Sequence, residues 1–279
     1  MSFSEFGDVD GHPVFYFHGL PGSRLEAELA GECAAKHRVR LIGVDRPGFG
    51  FSDTCYNRSL LDWPADVAHL ADQLALRRFS VIGVSGGGPY AAACAFALPE
   101  RLASVGIVSG VGPLDRQGMV NAMPWFNRFA LASAQRFPSF TGKLLQIAPV
   151  LRRCPKNAID VLRHLLSDPD NEVLARPRVR EILARSLAES LRQGASGIHH
   201  DLLILLEPWG FLLKDIDFAI HLWHGGKDHV VPAAHGRRLG LEIPKAISTF
   251  LPQEGHFSLV IDHVSEIFRA ISTSGTDRR

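Results

Sequence analysis

The sequence predicts an α/β fold in which a mostly parallel, twisted sheet carries helices on both faces. Three observations support this prediction. Short apolar, β-branched runs alternate with helical segments, a Gly-x-Ser-x-Gly turn joins one such strand to a helix, and one long stretch is helical throughout. The 279 residues suit one large domain, or a core with an insertion.

Charge and composition argue against several classes of partner. The chain has 30 basic and 29 acidic residues, for a net charge of +1, so nothing favours nucleic acid or an anionic membrane surface. No apolar run is long enough to span a bilayer, and the first residues have no leader pattern. The four cysteines lack metal-ligand or paired spacing, which indicates free thiols in a reducing compartment. We therefore expect a cytoplasmic protein, either a monomer or a homodimer.

Two strands and two helices are predicted at the start of the chain. A strand is predicted at 14–18, where the first four residues are bulky and apolar or aromatic, and a turn rich in glycine and proline ends this strand. Ser23 is positioned to cap a helix over about 25–36. Another buried strand follows at 39–45, and a further helix begins after Asp62.

The most informative stretch is a strand, a sharp turn and a helix around Ser85. Residues 79–84 form a short β-branched run, and the helix of small residues after the turn stops at Pro99. A serine in such a turn needs residues without a β-carbon on both sides, and Gly83 and Gly87 meet that need. A phosphate-binding turn is the alternative, but its glycine spacing and lysine are absent. We interpret Ser85 as a nucleophile.

A nucleophilic serine requires a base, and His256 is the best placed of the 13 histidines. It follows a predicted strand at 247–251 and precedes a predicted helix that begins at Phe257. In an open α/β sheet, ligands bind at the carboxyl ends of the strands, which is where this loop lies. His18 is a weaker candidate, because a structural hydrogen bond is expected there. A histidine in a surface turn is the alternative interpretation of His256.

Three motifs, taken together in this order, resemble the α/β-hydrolase superfamily. They are His18-Gly19-Leu20-Pro21-Gly22, Asp45-Arg46-Pro47-Gly48-Phe49-Gly50 and the Ser85 turn. The likeness is strongest to the capped, serine-nucleophile branch that contains esterases and proline iminopeptidases. The resemblance implies that the backbone N–H groups of Leu20 and Gly86 form an oxyanion hole.

The same resemblance implies the acid of a catalytic triad. A strand is predicted at 218–223, and the following His-Gly-x-x-Asp-x-x-Val-Pro pattern places Asp228 in the acid position. The chain order serine, aspartate, histidine is the order this fold uses. Asp115 is the second candidate, because some relatives carry the acid there. A helix N-cap is the structural alternative for Asp228.

The start of the chain departs from the family pattern. The family fold places its His-Gly-x-Pro loop after the third strand and its nucleophile after the fifth. Only about thirteen residues precede Val14, so we expect the first edge strand to be missing and the second to be short. The sheet should therefore be reduced at this edge.

Between residues 113 and 210 the strand pattern disappears and helical periodicity replaces it. The resemblance implies a helical cap here, inserted into a core formed by 1–112 and 211–279. Helices are predicted over 119–137, 140–151, 157–166 and 178–191.

Aromatic and methionine side chains of this region are candidates for an apolar substrate pocket. Packing between the helices is the alternative for most of them. The pocket candidates are Met123, Trp125, Phe126, Trp209 and, beside the predicted base, Phe257.

These assignments predict acyl transfer without a metal or an organic cofactor. His256 takes the proton of Ser85 as the serine attacks a carbonyl carbon, and Asp228 orients the imidazole. A serine at this turn also excludes relatives that open epoxides or displace halide, because those use aspartate there.

We expect a serine esterase that acts on small, largely apolar carboxylic esters. An aminopeptidase, an amidase or a C–C bond hydrolase on the same triad remains open, as does a ligand-binding signalling protein on a hydrolase scaffold. A peptidase of the iminopeptidase kind would need acidic groups in the cap. The candidates for that role are Glu172, Glu181, Glu189, Asp201 and Glu207.

Overall fold

A computed structural model describes residues 1–136 and 148–273 and contains a sheet of seven strands in the order β1-β3-β2-β4-β5-β6-β7. The strands are β1 (Phe3–Gly7), β2 (His12–Phe17), β3 (Val39–Val44), β4 (Phe79–Val84), β5 (Leu102–Val108), β6 (Ile220–Gly225) and β7 (Ala246–Leu251).

All neighbouring strands run parallel except β1, which pairs antiparallel with β3. Phe3 lies opposite Val44 and Gly7 lies opposite Arg40. This five-residue strand is the sheet edge at the start of the chain, so the edge is reduced as predicted. The loops that carry the first motif and Ser85 accordingly follow β2 and β4 rather than a third and a fifth strand.

Apolar residues alternate between the two faces of the sheet, and each face is covered by helices. The core helices are α1 (Gly31–Lys36), α2 (Trp63–Gln73), α3 (Gly88–Ala97), α11 (Ala233–Glu242), α12 (His256–Asp262) and α13 (Val264–Thr273). Phe15 and Phe17 on β2 pack in a cluster with α2 and α3, whereas Val14 and Tyr16 pack in a second cluster with α1 and α13.

Seven described helices lie between β5 and β6 and form the helical insertion, and the described part of this stretch contains no strand. They are α4 (Met119–Ala122), α5 (Trp125–Arg136), α6 (Ala148–Arg153), α7 (Pro155–Arg163), α8 (Asp168–Leu174), α9 (Pro177–Ser190) and α10 (Ser196–Leu206).

Two helix predictions change in the structure. The single helix predicted over 119–137 is broken at Pro124, whose ring forces Met123 into extended backbone with ψ 149°. The helix predicted over 25–36 is a 3-10 segment, Arg24–Ala30, followed by α1. Most of the helix predicted over 140–151 falls outside the described residues.

In the described ranges, 1–136 and 148–273, no helix is both long and apolar enough to cross a membrane.

Candidate active site

Ser85 lies at the tip of the turn between β4 and α3 in a backbone conformation that few side chains adopt. Its φ is +54°, and its side chain is buried. A Cβ at Gly83 would lie 2.3 Å from the Gly87 carbonyl oxygen, and a Cβ at Gly87 would lie 2.2 Å from the Phe17 carbonyl oxygen. Backbone of the turn therefore packs directly against β2, which only glycine permits.

The two residues predicted to form the oxyanion hole lie side by side. A Cβ built on Gly86 would be 2.9 Å from the Leu20 Cβ and 3.5 Å from the Leu20 nitrogen. Leu20 and Ser85 also line the same cavity. The structure thus brings the loop after β2 against the first residue beyond the serine.

A buried arginine holds the loop after β2 in place. Arg46 donates from Nη1 to the His18 carbonyl oxygen at 2.6 Å and from Nη2 to the Gly19 carbonyl oxygen at 3.1 Å. The His18 Nε2 accepts from the Arg46 backbone N–H at 3.4 Å, which leaves Nδ1 to donate to the Gly19 carbonyl oxygen at 2.7 Å. Burial, reinforced by the Arg46 charge, lowers the pKa of His18 well below its usual value. His18 therefore has a structural role.

The carboxylate of Glu26 also supports this loop, and sequence analysis did not identify it. It accepts from the Tyr16 hydroxyl at 2.9 Å and from the Gly19 backbone N–H at 3.1 Å. Glu26 also lines the cavity that contains Ser85. Burial raises the pKa of Glu26, although its hydrogen bonds offset part of this effect.

His256 and Asp228 form a buried, hydrogen-bonded pair. The His256 Nδ1 lies 2.8 Å from Asp228 Oδ2, while Asp228 Oδ1 accepts from the backbone N–H groups of Val230 and Val231, each at 2.8 Å. Burial, the largest single effect, would lower the pKa of His256, but the charge and hydrogen bond of Asp228 and the charges of two further carboxylates together outweigh it and raise that pKa. Burial alone would raise the pKa of Asp228, but its partners lower it, chiefly His256. Both effects favour an imidazolium–carboxylate pair.

Asp115, the second candidate for the acid, lies elsewhere. Its Oδ2 is 3.8 Å from Arg116 Nε, and it borders a groove formed by the two ends of the insertion. The carboxylate that the structure brings to His256 is therefore Asp228.

A second carboxylate, which sequence analysis also did not identify, contacts the backbone around the histidine. Asp170, on α8 of the insertion, accepts from the backbone N–H groups of His256 at 3.0 Å, Phe257 at 2.7 Å and Ser258 at 3.0 Å. The sequence separation is 86 to 88 residues, so no local motif could have indicated this contact.

Ser85 and His256 both line a cavity of about 260 Å³. Its walls are mostly aliphatic, and both the core and the insertion contribute to that surface. The aliphatic lining residues from the insertion are Ile159, Leu162, Leu174, Leu183 and Leu187.

The structure places two of the five predicted pocket residues at the cavity, Phe126 and Phe257. The other three assignments are corrected. Met123 packs in an apolar cluster between the insertion and the core, and Trp209 packs in the core cluster that contains Phe15 and Phe17. Trp125 is 70% exposed because it lies on the outer face of α5.

None of the five acidic residues considered for an aminopeptidase lines this cavity. Asp201 pairs with Arg46 and Arg58, Glu189 with Arg24 and Arg192, and Glu181 with Lys156, while Glu172 and Glu207 are exposed. The carboxyl group that does line it is Glu26, from the core.

Over the described residues, no group of three or more histidine, cysteine, aspartate or glutamate side chains has the arrangement to hold a metal ion.

Comparison with known proteins agrees with this architecture. The chain is 29% identical over 244 residues to a non-heme chloroperoxidase of Streptomyces lividans, a match that covers 83% of this chain and 80% of the relative. It is 28% identical over 256 residues to the dihydrolipoyllysine-residue acetyltransferase component of the acetoin cleaving system of Pseudomonas putida. That match covers 90% of this chain but only 60% of the length of the relative.

A solved thermophilic esterase from Thermogutta terrifontis has the same fold, with a TM-score of 0.68 and 21% identity. The superposition covers 97% of this chain and 90% of the esterase. The sequence model of the alpha/beta hydrolase fold matches residues 12–262. Because this match spans most of the chain, the protein belongs to the α/β-hydrolase family, and the prediction that it is an enzyme of the hydrolase class is confirmed.

Proposed function

We propose that the chain is a serine hydrolase that cleaves small, largely apolar carboxylic esters through an acyl-enzyme. Ser85 is the nucleophile, His256 the general base and Asp228 the orienting acid. The observation that carries the proposal is a single cavity lined by the strained serine and by a histidine whose Nδ1 is hydrogen-bonded to a buried carboxylate at 2.8 Å.

The proposed reaction begins when Ser85 Oγ attacks the ester carbonyl carbon and His256 Nε2 accepts the hydroxyl proton. Asp228 holds the proton on Nδ1 and stabilises the imidazolium that forms. The backbone N–H groups of Leu20 and Gly86 donate to the tetrahedral oxyanion, and one such donor typically lowers the barrier by about 3 kcal/mol. The imidazolium then protonates the leaving alcohol, and water releases the acid by the same steps.

The composition of the cavity supports an apolar acyl group. Aliphatic side chains from α7, α8 and α9 form much of its wall, and such a surface binds hydrocarbon in preference to charged groups. The helical insertion, residues 113–210 by our boundaries, is on this proposal the cap of the core formed by 1–112 and 211–279. We also propose a cytoplasmic location, because all four cysteines are free.

Glu26 favours one second candidate function, in which the substrate carries an amine or hydroxyl donor beside the scissile carbonyl. Its carboxyl group is the acidic side chain among the lining residues, and it lies close enough to His256 to affect the pKa of that imidazole. An amidase or aminopeptidase on the same triad would use Glu26 to bind the substrate amine.

The test is turnover of p-nitrophenyl esters of graded chain length, with proline and other arylamides measured alongside. We expect ester turnover by the wild type and at least a 10³-fold loss in Ser85→Ala. Ser109→Ala is the matched control, because Ser109 is also buried with positive φ at the end of a neighbouring strand but does not line the cavity.

A fluorophosphonate should label the wild type and Ser109→Ala but not Ser85→Ala. Undiminished ester turnover in Ser85→Ala would refute the proposal. Arylamide turnover above ester turnover would favour the second candidate.

A further inference from the structure

We infer that Asp170 is a positioning residue for His256: through this carboxylate the insertion provides the N-terminal cap of the helix that begins at the proposed base. The role rests on the proposed function, since it matters for reactivity only if His256 is the base.

The contacts of Asp170 are those of a helix cap supplied from elsewhere in the chain. The first N–H groups of a helix have no partner within it, and an N-cap side chain usually accepts from them. In α12 the N-cap position is Gly255, which has no side chain. Asp170 accepts from the backbone N–H groups of the first three residues, at 3.0, 2.7 and 3.0 Å.

Gly255 provides the space that this carboxylate occupies. A Cβ on Gly255 would lie 2.4 Å from both carboxylate oxygens of Asp170. Any other residue at this position would displace the carboxylate. Glycine is therefore required before the histidine because the Asp170 side chain occupies the space of a Cβ, and not because of a backbone turn.

Asp170 is fully buried, and its charge is compensated by dipoles rather than by a cation. Besides the three amides, the Ser167 hydroxyl donates to its Oδ2 at 3.0 Å. No ion pair joins it to an arginine, lysine or histidine within 1–136 or 148–273. Its negative charge thus remains effective at the histidine it holds.

Among the described residues, four titratable groups lie around His256. Asp228 and His224 approach from β6 and the loop after it, Glu26 from the 3-10 segment, and Asp170 from α8. Burial lowers the pKa of His256, and the Asp228, Asp170 and Glu26 charges raise it, with Asp228 contributing most. Asp170 therefore stabilises the imidazolium in the same direction as Asp228. It does so by its charge and by holding the helix that begins at His256, without a hydrogen bond to the ring.

The test compares Asp170→Asn with Glu172→Gln, which makes the same loss of charge at an exposed position two residues along α8. We expect Asp170→Asn to lower kcat for ester hydrolysis about tenfold with KM little changed, because Asp170 caps the helix but does not line the cavity. The acid limb of its pH profile should move to lower pH, and Glu172→Gln should match the wild type.

An NMR titration of the His256 imidazole gives a readout that needs no substrate. The protonation midpoint should be lower in Asp170→Asn than in wild type. Wild-type kcat and an unchanged midpoint would overturn the inference. A lowered midpoint in a protein that hydrolyses no ester would instead sustain the inference and defeat the proposed function.

Should Asp170→Asn fail to fold, Ser167→Ala decides, since it keeps the carboxylate and removes only its hydroxyl donor. We expect kcat to fall a few-fold with KM unchanged. Wild-type kinetics in that variant would overturn the inference.

Discussion

At the scale of single residues, reactivity depends on which carboxylate faces the His256 ring. The Asp228 carboxylate accepts hydrogen bonds from the ring Nδ1 at 2.8 Å and from two backbone N–H groups. Its position is therefore fixed before substrate binds. Such preorganisation fixes the histidine tautomer that leaves Nε2 free to accept a proton.

Asp228→Asn should lower kcat about 10⁴-fold without unfolding the protein, because an amide at this position favours the wrong tautomer. Ester turnover at saturating substrate is the measurement. Asp115→Asn is the control, since Asp115 lies beside Arg116 and not beside the histidine. A large loss in the control and none in Asp228→Asn would show that the acid has been misassigned.

Residue identity at the site could be predicted from sequence where a local pattern fixes it. Ser85, Asp228 and His256 each follow a predicted strand, and the structure places all three beyond the carboxyl ends of β4, β6 and β7. Glu26 and Asp170 have no such pattern, because their partners are determined only when the chain has folded.

At the scale of elements, α11 is tied to the end of β5 by a buried histidine. His235 accepts from the Gly112 backbone N–H at 3.2 Å, and its side chain is fully buried. Burial lowers the pKa of His235 from 6.5 to about 4. The folded chain therefore excludes a proton that the unfolded chain accepts between these two pH values.

His235→Asn should reduce the loss of stability on acidification. In the wild type, this group lowers the free energy of unfolding as pH falls from 6.5 towards 4, by up to about 3 kcal/mol. Asparagine keeps an acceptor for Gly112 but does not titrate. Urea unfolding at pH 7 and pH 4.5 measures the difference, with His69→Asn on the surface of α2 as the control. Equal pH dependence in the wild type and His235→Asn would contradict the assignment.

Element types were more predictable than element ends. Apolar periodicity identified the strands of the core and the helices of the insertion, since burial of one face imposes it. Pro124 marks the break between α4 and α5, a signal that the periodicity alone does not contain. The 3-10 segment Arg24–Ala30 packs against α9, β3 and β1, and the local sequence does not indicate these long-range contacts.

At the scale of the whole molecule, a buried charge cluster joins the insertion to the core. Asp201 on α10 pairs with Arg46 at 2.7 Å and also with Arg58, and accepts from the Tyr90 hydroxyl at 2.8 Å. Arg46 in turn holds the loop that carries Leu20, one of the two proposed oxyanion donors. The same cluster therefore links the insertion to the core and holds the loop after β2 at the candidate active site.

Asp201→Asn should destabilise the protein by about 3–5 kcal/mol, because it leaves two buried guanidinium groups without a counter-charge. Denaturant midpoints give the measurement. Asp262→Asn also removes an ion pair between the core and the insertion, with Arg176, but that pair is exposed and its loss should cost under about 1 kcal/mol. Comparable losses in both variants would show that burial of the cluster adds nothing.

The parallel sheet and the position of the insertion could be predicted from the sequence. Strand and helix patterns alternate along the core segments, and the strand pattern is lost in the insertion. The contacts between the insertion and the core could not be predicted, since Asp201 lies 155 residues from Arg46 and 143 residues from Arg58 along the chain. The three corrected pocket residues have the same cause: amphipathic helices show which residues are apolar, but not which neighbour each one meets.

The placement of Asp170 has a consequence for how this enzyme could diversify. Leu174, which lines the cavity, lies one turn further along the same short helix. On the proposed function, a mutation that remodels the wall at Leu174 also acts on the helix that carries Asp170, so we expect selection for a new acyl group at this site to alter proton transfer as well. Ile159 and Leu162 also line the cavity, but they belong to α7, a helix that does not carry this carboxylate. Laboratory libraries that aim to broaden substrate range should therefore randomise α7 and leave α8 untouched.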